Sequence, residues 1–215
     1  MKLYWTKRGI PHGFFCDIPI HLIYRLNGCA PLNELKALSE ELGNQIDGLK
    51  SLGQASGTVI QGLLEEHAKI YDDLLDAQDQ RKFILHREEL GGIVLKSWLH
   101  LSEQSEILLY AVCVMGNHVH VLLKGLSDSK LNQIGKLIQR HKSFTTTAIK
   151  KVDSSVEKVW DSGFYDRYVR EGSFWEVLKY ILDNPVKAGL VAQWKEWPLT
   201  FVDPRCLDSS NFIGS

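Results

Sequence analysis

The stretch from Ile107 to Lys124 leaves this chain the least freedom. Ile107-Leu108-Leu109-Tyr110-Ala111-Val112-Cys113-Val114 and His118-Val119-His120-Val121-Leu122-Leu123 are two apolar, β-prone runs. Between them lies Gly116-Asn117, a dipeptide suited to a tight turn, so the segment predicts two adjacent antiparallel strands. Side chains alternate faces along a strand, which puts His118 and His120 on one side and Val119 and Val121 on the other. Two imidazoles one strand repeat apart suit chelation of a single divalent ion through neutral ring nitrogens. Taken alone, so short a motif reads first as a pair of half-buried strand histidines satisfied by neighbours. Context decides between the two.

Working outward from this hairpin, Ile20, Leu22, Tyr24 and Leu26 alternate with other residues and stop at Asn27-Gly28, which predicts a first strand. The residues through Asp17 carry little pattern and are expected to form an arm or loop. From Pro31 the period changes. Leu32, Leu35, Leu38, Leu42, Ile46 and Leu49 recur at helical spacing, and a second such series runs from Ile60 to Leu75 after Gly53 and Ser56-Gly57. Together they predict an antiparallel helical hairpin, placed within an insertion over residues 31–86. Between Pro31 and Asp79 ten acidic residues face three basic ones, a net of −7 that leaves +6 on the remainder of a chain whose formal charge is −1. The acidic faces are expected to be a solvated surface without chemistry of their own; a dimerising coiled coil is the lesser alternative, weakened by Gly43 and Gly48.

Arg87 to Leu101 predicts a further helix with a broad apolar stripe through Leu90, Val94, Trp98 and Leu101. After the paired strands, Ser127-Asp128-Ser129 offer N-cap candidates for a helix whose expected buried side is Leu131, Ile134, Leu137, Ile138, Phe144 and Ile149. From Lys130 to Lys151 there are six Lys or Arg and no Asp or Glu. On a soluble surface such charge is often only solvation, but one sign over such a length also suits a phosphate backbone nearby. Trp160 to Arg170 is aromatic, basic and β-prone and takes the last strand. Ser173-Phe174-Trp175-Glu176 has the pattern of a capping box opening a helix from Phe174 to Asp183, which Asn184-Pro185 is expected to end. On that helix Tyr180 and Asn184, four apart, share a face.

At 215 residues the chain is long enough for one sizeable core and is expected to be a single domain over 1–215. No run approaches the roughly 20 apolar residues of a membrane span, and the first residues lack a signal-peptide core. The expectation is a cytoplasmic, nucleoid-associated protein. Cys16, Cys29, Cys113 and Cys206 are scattered, which speaks against a zinc ribbon or a disulfide framework. The element order, strand, helix, strand, strand, helix, strand, gives an α+β fold with a ferredoxin-like split βαβ antiparallel sheet, the helical hairpin inserted after the first strand and one more helix at the end.

Five segments in order carry a resemblance. They are Gly116-Asn117-His118-Val119-His120-Val121-Leu122-Leu123, Lys142-Ser143-Phe144-Thr145, Phe164-Tyr165-Asp166-Arg167, Val169-Arg170, and the run from Tyr180-Ile181-Leu182-Asp183-Asn184-Pro185 to Val191. In them the chain resembles the REP-associated tyrosine transposases, in the single-tyrosine, insertion-sequence-like branch of the HUH single-strand DNA endonucleases. The likeness covers about Pro19 to Pro198 in element order. It implies a palm-like HUH sheet, with the last helix as the catalytic one. It implies a transposase-like, metal-dependent transesterase that cleaves and rejoins single-stranded DNA beside hairpin-forming palindromic repeats through a 5′-phosphotyrosine. On this likeness Tyr180 matches the nucleophile, His118 and His120 the metal ligands, and Asn184 the polar residue completing the site, with Asp183 as the competing ligand. The cofactor implied is a divalent metal, Mg²⁺ or Mn²⁺. DNA contacts are expected at Lys136, Arg140, Lys142, Arg167 and Arg170. The partner is single-stranded or hairpin DNA and not a membrane, and both a monomer and a homodimer are compatible with the sequence.

The chemistry agrees with this independently. A phenol of pKa near ~10 is a poor nucleophile unaided, so a divalent ion must polarise the phosphate it attacks. Two other classes stay open. A cupin-like hydrolytic metal enzyme also uses His-x-His, but Val121 to Leu126 lacks the carboxylate it needs. A domesticated protein that binds hairpin DNA without cutting it would keep the same residues.

Overall fold

The computed structural model describes residues 4–5, 11–12, 18–29, 32–104, 107–125 and 133–207. The chain begins with a small antiparallel pair, β1 (Tyr4–Trp5) and β2 (Pro11–His12). It continues through β3 (Ile20–Arg25), the helices α1 (Leu32–Ser51) and α2 (Gly57–Asp76), two 3-10 turns at Gln80–Lys82 and Ile84–His86, and α3 (Glu88–Gln104). Then come β4 (Ile107–Val114), β5 (His118–Gly125), α4 (Gln133–Val152), β6 (Tyr165–Tyr168), α5 (Phe174–Lys187), β7 (Thr200–Val202) and α6 (Pro204–Leu207). The N-cap candidates Ser127 to Ser129, Pro31 and Cys16 lie outside the described residues.

Five strands form one antiparallel sheet in the order β6-β3-β5-β4-β7. Numbered from β3, the spatial order is fourth, first, third, second, which is the ferredoxin-like arrangement, with β7 added beyond β4. The sequence pattern predicts an alternating first strand, yet β3 is buried on both faces from Ile20 to Tyr24. It lies between β5 and β6, with helices over each side of the sheet, so it has no solvent face. Its register sets Arg25 opposite His118 and Ile23 opposite His120. Residues directly opposite share a face, so His21, His118, His120 and Arg167 all rise from the same side of the sheet.

The other side carries its own buried polar network. Trp98 Nε1 of α3 donates to Tyr24 Oη at 2.7 Å, and Tyr24 Oη lies 2.7 Å from His141 Nε2 of α4. Ser97 Oγ lies 2.9 Å from His141 Nδ1, and Trp160 Nε1 donates to Thr145 Oγ1 at 2.9 Å. These bonds fix the buried stripe of α4 as Ile138, His141, Thr145 and Ile149. Phe144, expected on that stripe, is instead 60% exposed, because it sits one position short of Thr145 on the helical wheel.

Helix α2 has two partners. Ile60 and Leu64 join Leu42 and Ile46 of α1 in a small separate core, while Ala68 and Leu75 enter the main core against the sheet. Its N-terminus is capped by Ser56, whose Oγ accepts from Val59 N at 3.3 Å. Helix α5 departs from expectation at both ends. Ser173 makes no side-chain cap, since its near-helical backbone (φ −94°, ψ 7°) does not aim the hydroxyl back at the first turn. Pro185 does not stop the helix. Proline offers no N–H to the Ile181 carbonyl, but Asn184 Nδ2 reaches that oxygen at 3.4 Å and the Tyr180 carbonyl at 2.9 Å. The asparagine thus stands in for the missing backbone donor, and α5 runs on to Lys187. Gly189, at φ +62°, then turns the chain away. No described helix is long and apolar enough to cross a membrane.

Candidate active site

His118 and His120 project from β5 with Nε2 atoms 2.8 Å apart, and both are fully buried. The structure brings to them a residue the sequence reading left out. Asp72, 1% exposed on α2, places Oδ1 3.5 Å from His120 Nε2 and 3.7 Å from His118 Nε2. The expectation that the acidic hairpin is plain solvated surface therefore fails at this point. A signal existed in the spacing: Ile60, Leu64, Ala68 and Asp72 recur every four residues, which sets an acid on the buried stripe of α2. Asp76, one turn on, brings Oδ1 3.6 Å from His118 Nε2.

Tyr180 of α5 closes the group. Its hydroxyl donates to Asp72 Oδ2, and its ring lies edge-on to His120 and His21 with centroids 6.2 and 6.3 Å away. One carboxylate thus faces the two imidazoles with one oxygen and the phenol with the other. Two cations flank the ring: Lys187 Nζ lies 3.9 Å from its centroid and Arg167 Cζ 5.9 Å. Asn184 is fully buried, its amide nitrogen engaged by the helix carbonyls and its Oδ1 without a hydrogen-bond partner. Asp183 instead turns outward to Lys179, 2.9 Å away.

The imidazoles are held from behind. Asn117 Oδ1 accepts from His118 Nδ1 at 2.5 Å, while Asn117 Nδ2 donates to the Leu75 carbonyl at 2.9 Å and Asn117 N to Gln80 Oε1 at 3.3 Å. His21 Nε2 lies 3.0 Å from His120 Nδ1, and Arg167 Nε donates to His21 Nδ1 at 3.1 Å. Gly116 makes this clamp possible: a Cβ there would stand 2.0 Å from the Gln80 carbonyl oxygen.

Electrostatics suit ligation. Burial lowers His118 to about 3 and, with His118 and His21 alongside, pushes His120 well below the usual imidazole range, so both rings are neutral. Burial, followed by the charge of Asp76, raises Asp72 well above the usual carboxylate range, and burial lifts Asp76 to about 7. Burial and then Asp72 raise the Tyr180 phenol. Asp72 Oδ1, Asp76 Oδ1 and Asn184 Oδ1 are buried and lack hydrogen-bond donors. The orphaned oxygens of Asp72 and Asp76, beside two neutral imidazoles, are costly unless a cation completes them, and such a mixed N/O set fits a divalent ion.

The expected DNA-contact residues separate. Lys136 and Arg140 are exposed on α4, next to exposed Phe144. Lys142 turns its ammonium onto the carbonyls of Asp161 and Gly163 at 2.9 and 2.6 Å. Arg170 pairs with Glu65 of α2 at 2.7 Å, and Arg167 stands at the site itself.

A ferredoxin-like sheet with paired histidines on a central strand and a tyrosine on the helix above them defines a class of candidate metal-centred proteins. The chain belongs to the IS200-like transposase family, whose model matches residues 75–184. Asp72 lies just outside that span. A solved structure of a REP-associated tyrosine transposase bound to a REP hairpin is similar over 88% of this chain and 79% of that one, with 14% sequence identity and a TM-score of 0.49. Among curated proteins, none matches this chain.

Proposed function

We propose that this protein is a metal-dependent single-strand DNA endonuclease and strand transferase of the REP-associated kind, cutting and rejoining DNA beside hairpin-forming palindromic repeats with Tyr180 as nucleophile. The observation that carries the reading is the shared carboxylate: Asp72 holds the Tyr180 hydroxyl against the pocket formed by His118 and His120. Family membership supplies the transposase class. A divalent ion, Mg²⁺ or Mn²⁺, would be held by His118, His120, Asp72 and Asn184 Oδ1, and would supply the Lewis acidity that polarises a scissile phosphate.

The chain's own residues do the rest. Asp72 orients the phenol oxygen, and α5 fixes that oxygen relative to Asn184. Tyr180 Oη passes its proton to Asp72 Oδ2, the atom it already donates to, and bonds to phosphorus; the 3′-oxygen leaves and takes a proton from solvent, and a 5′-phosphotyrosine results. That ester keeps the energy of the phosphodiester, so a second 3′-hydroxyl reverses the step and joins strands. Lys136 and Arg140 are assigned to the DNA backbone and Arg167 to the phosphate nearest Tyr180. Lys142 and Arg170 shape the surface between them.

Incubation with a library of folded single-stranded hairpins and Mg²⁺ or Mn²⁺, followed by a denaturing gel, tests the proposal. A covalent protein-DNA adduct is expected, lost in Tyr180→Phe and in the presence of EDTA. Hairpin binding without any adduct would favour the non-cutting regulator. An adduct that survives Tyr180→Phe would move the nucleophile to Tyr165 or Tyr168.

A further inference from the structure

We infer that Arg167 controls whether His120 can accept an ion, and that a DNA phosphate lifts this control. The inference rests on the proposed function for the identity of ion and DNA, and deepens it.

A guanidinium can only donate. Arg167 Nε–H therefore meets a lone pair on His21 Nδ1, 3.1 Å away. Neutral His21 must then carry its hydrogen on Nε2, which donates to His120 Nδ1 at 3.0 Å. Neutral His120 is left with its hydrogen on Nε2, the nitrogen that faces His118 Nε2 at 2.8 Å and Asp72 Oδ1 at 3.5 Å. The other end of the chain is fixed as firmly. Asn117 Nδ2 donates to the Leu75 carbonyl, so Asn117 Oδ1 is the acceptor for His118 Nδ1–H, and His118 Nε2 bears the lone pair. From Arg167 to Leu75 every hydrogen runs one way. His118 offers electrons to the pocket, and His120 offers a hydrogen.

An ion needs a lone pair from each ring. His120 can give up Nε2 only by carrying its hydrogen at Nδ1, which requires His21 to carry its own at Nδ1 as well. Arg167 Nε–H already points at that atom, and two hydrogens cannot share it. The exchange balances: His120 Nε2 releases a hydrogen to water, the His21 Nε2 hydrogen passes to His120 Nδ1, and water returns one to His21 Nδ1. Both rings stay neutral, and the proton count is unchanged. Only Arg167 has to leave. It is half-buried on the edge strand β6, 5.9 Å from the Tyr180 ring, so a phosphate set for attack by Tyr180 is placed to draw it away. Ion and DNA phosphate then strengthen each other's binding by the same factor. Arg167 and His21 are positioning residues here.

Two measurements test this. In calorimetry without DNA, Arg167→Ala is expected to bind Mn²⁺ at least ~5-fold tighter than wild type, at the low end of couplings between linked sites. In a Tyr180→Phe background, which cannot cut, a hairpin with a single-stranded flank is expected to tighten Mn²⁺ binding at least ~5-fold more when Arg167 is present than when Arg167 is Ala. Nitrogen-detected NMR of the imidazoles reads the hydrogens directly: on Nε2 of His21 and His120 in metal-free protein, on Nδ1 of both after Mg²⁺ and the hairpin are added. Loss of a positive charge alone would tighten the ion without moving these hydrogens. Equal Mn²⁺ affinity in wild type and Arg167→Ala, or Nδ1–H rings in metal-free protein, overturns the inference and leaves the proposed function standing. No Mn²⁺ binding in either protein overturns both.

Discussion

At the scale of single residues, Asp72 pulls stability and function in opposite directions. A carboxylate 1% exposed, with Asp76 one turn away, is an expensive group to bury without a cation. Asp72→Asn keeps an acceptor for Tyr180 and removes the charge. In EDTA this variant is expected to be more stable than wild type by about 1–3 kcal/mol in urea unfolding, within the range measured when buried charge is replaced by neutral groups. Its Mn²⁺ affinity is expected to fall at least ~10-fold, equivalent to roughly 1.4 kcal/mol, when followed by calorimetry. A variant that is less stable without metal, or that binds metal as wild type does, would remove Asp72 from the site. His118, His120 and Tyr180, which the fold brings together with Asp72, came forward in the sequence because they lie in short motifs that carry the family resemblance. Asp72 did not, since its partners lie far along the chain and its neighbours in sequence, Asp73 and Asp76, disguise it as part of an acidic face.

At the scale of elements, the turn between β4 and β5 is shaped by what packs behind it. Gly116 lies against the backbone of Gln80, and that contact lets Gln80 and Leu75 hold Asn117, which in turn holds His118. Backbone cannot yield as a side chain can, so Gly116→Ala must push the 3-10 turn at Gln80 away. A cost of about 1–3 kcal/mol is expected from urea unfolding, together with weaker metal binding than wild type, because His118 loses its brace. Unchanged metal affinity would mean the brace is dispensable. The order of β3, β4, β5 and β6 in the sheet was readable from the order of strands and helices along the chain, whereas β7 beside β4 was not. Helix ends were less readable. Pro185 reads as a stop until the Asn184 side chain is seen supplying the donor that proline lacks.

At the scale of the whole molecule, charge divides the protein, with −7 between Pro31 and Asp79 and a balancing +6 elsewhere. Helix α4 has no acidic residue, so Lys136 and Arg140 are expected to meet the DNA backbone by counterion release. Replacing both with Ala should lower the slope of log affinity against log salt by about 1.4 for a single-stranded ligand, measured by fluorescence anisotropy. An unchanged slope would place the DNA elsewhere. The site itself is gathered from the full length of the fold: His21 on β3, Asp72 on α2, His118 and His120 on β5, Arg167 on β6 and Tyr180 on α5. Among the strands of the five-stranded sheet β3 is made first, yet it pairs with β5 and β6, which are made much later. Long-range pairings close slowly, and synthesis runs from the N-terminus. A growing chain therefore holds its histidines before it holds the tyrosine, and the candidate site closes only once α5 has been made.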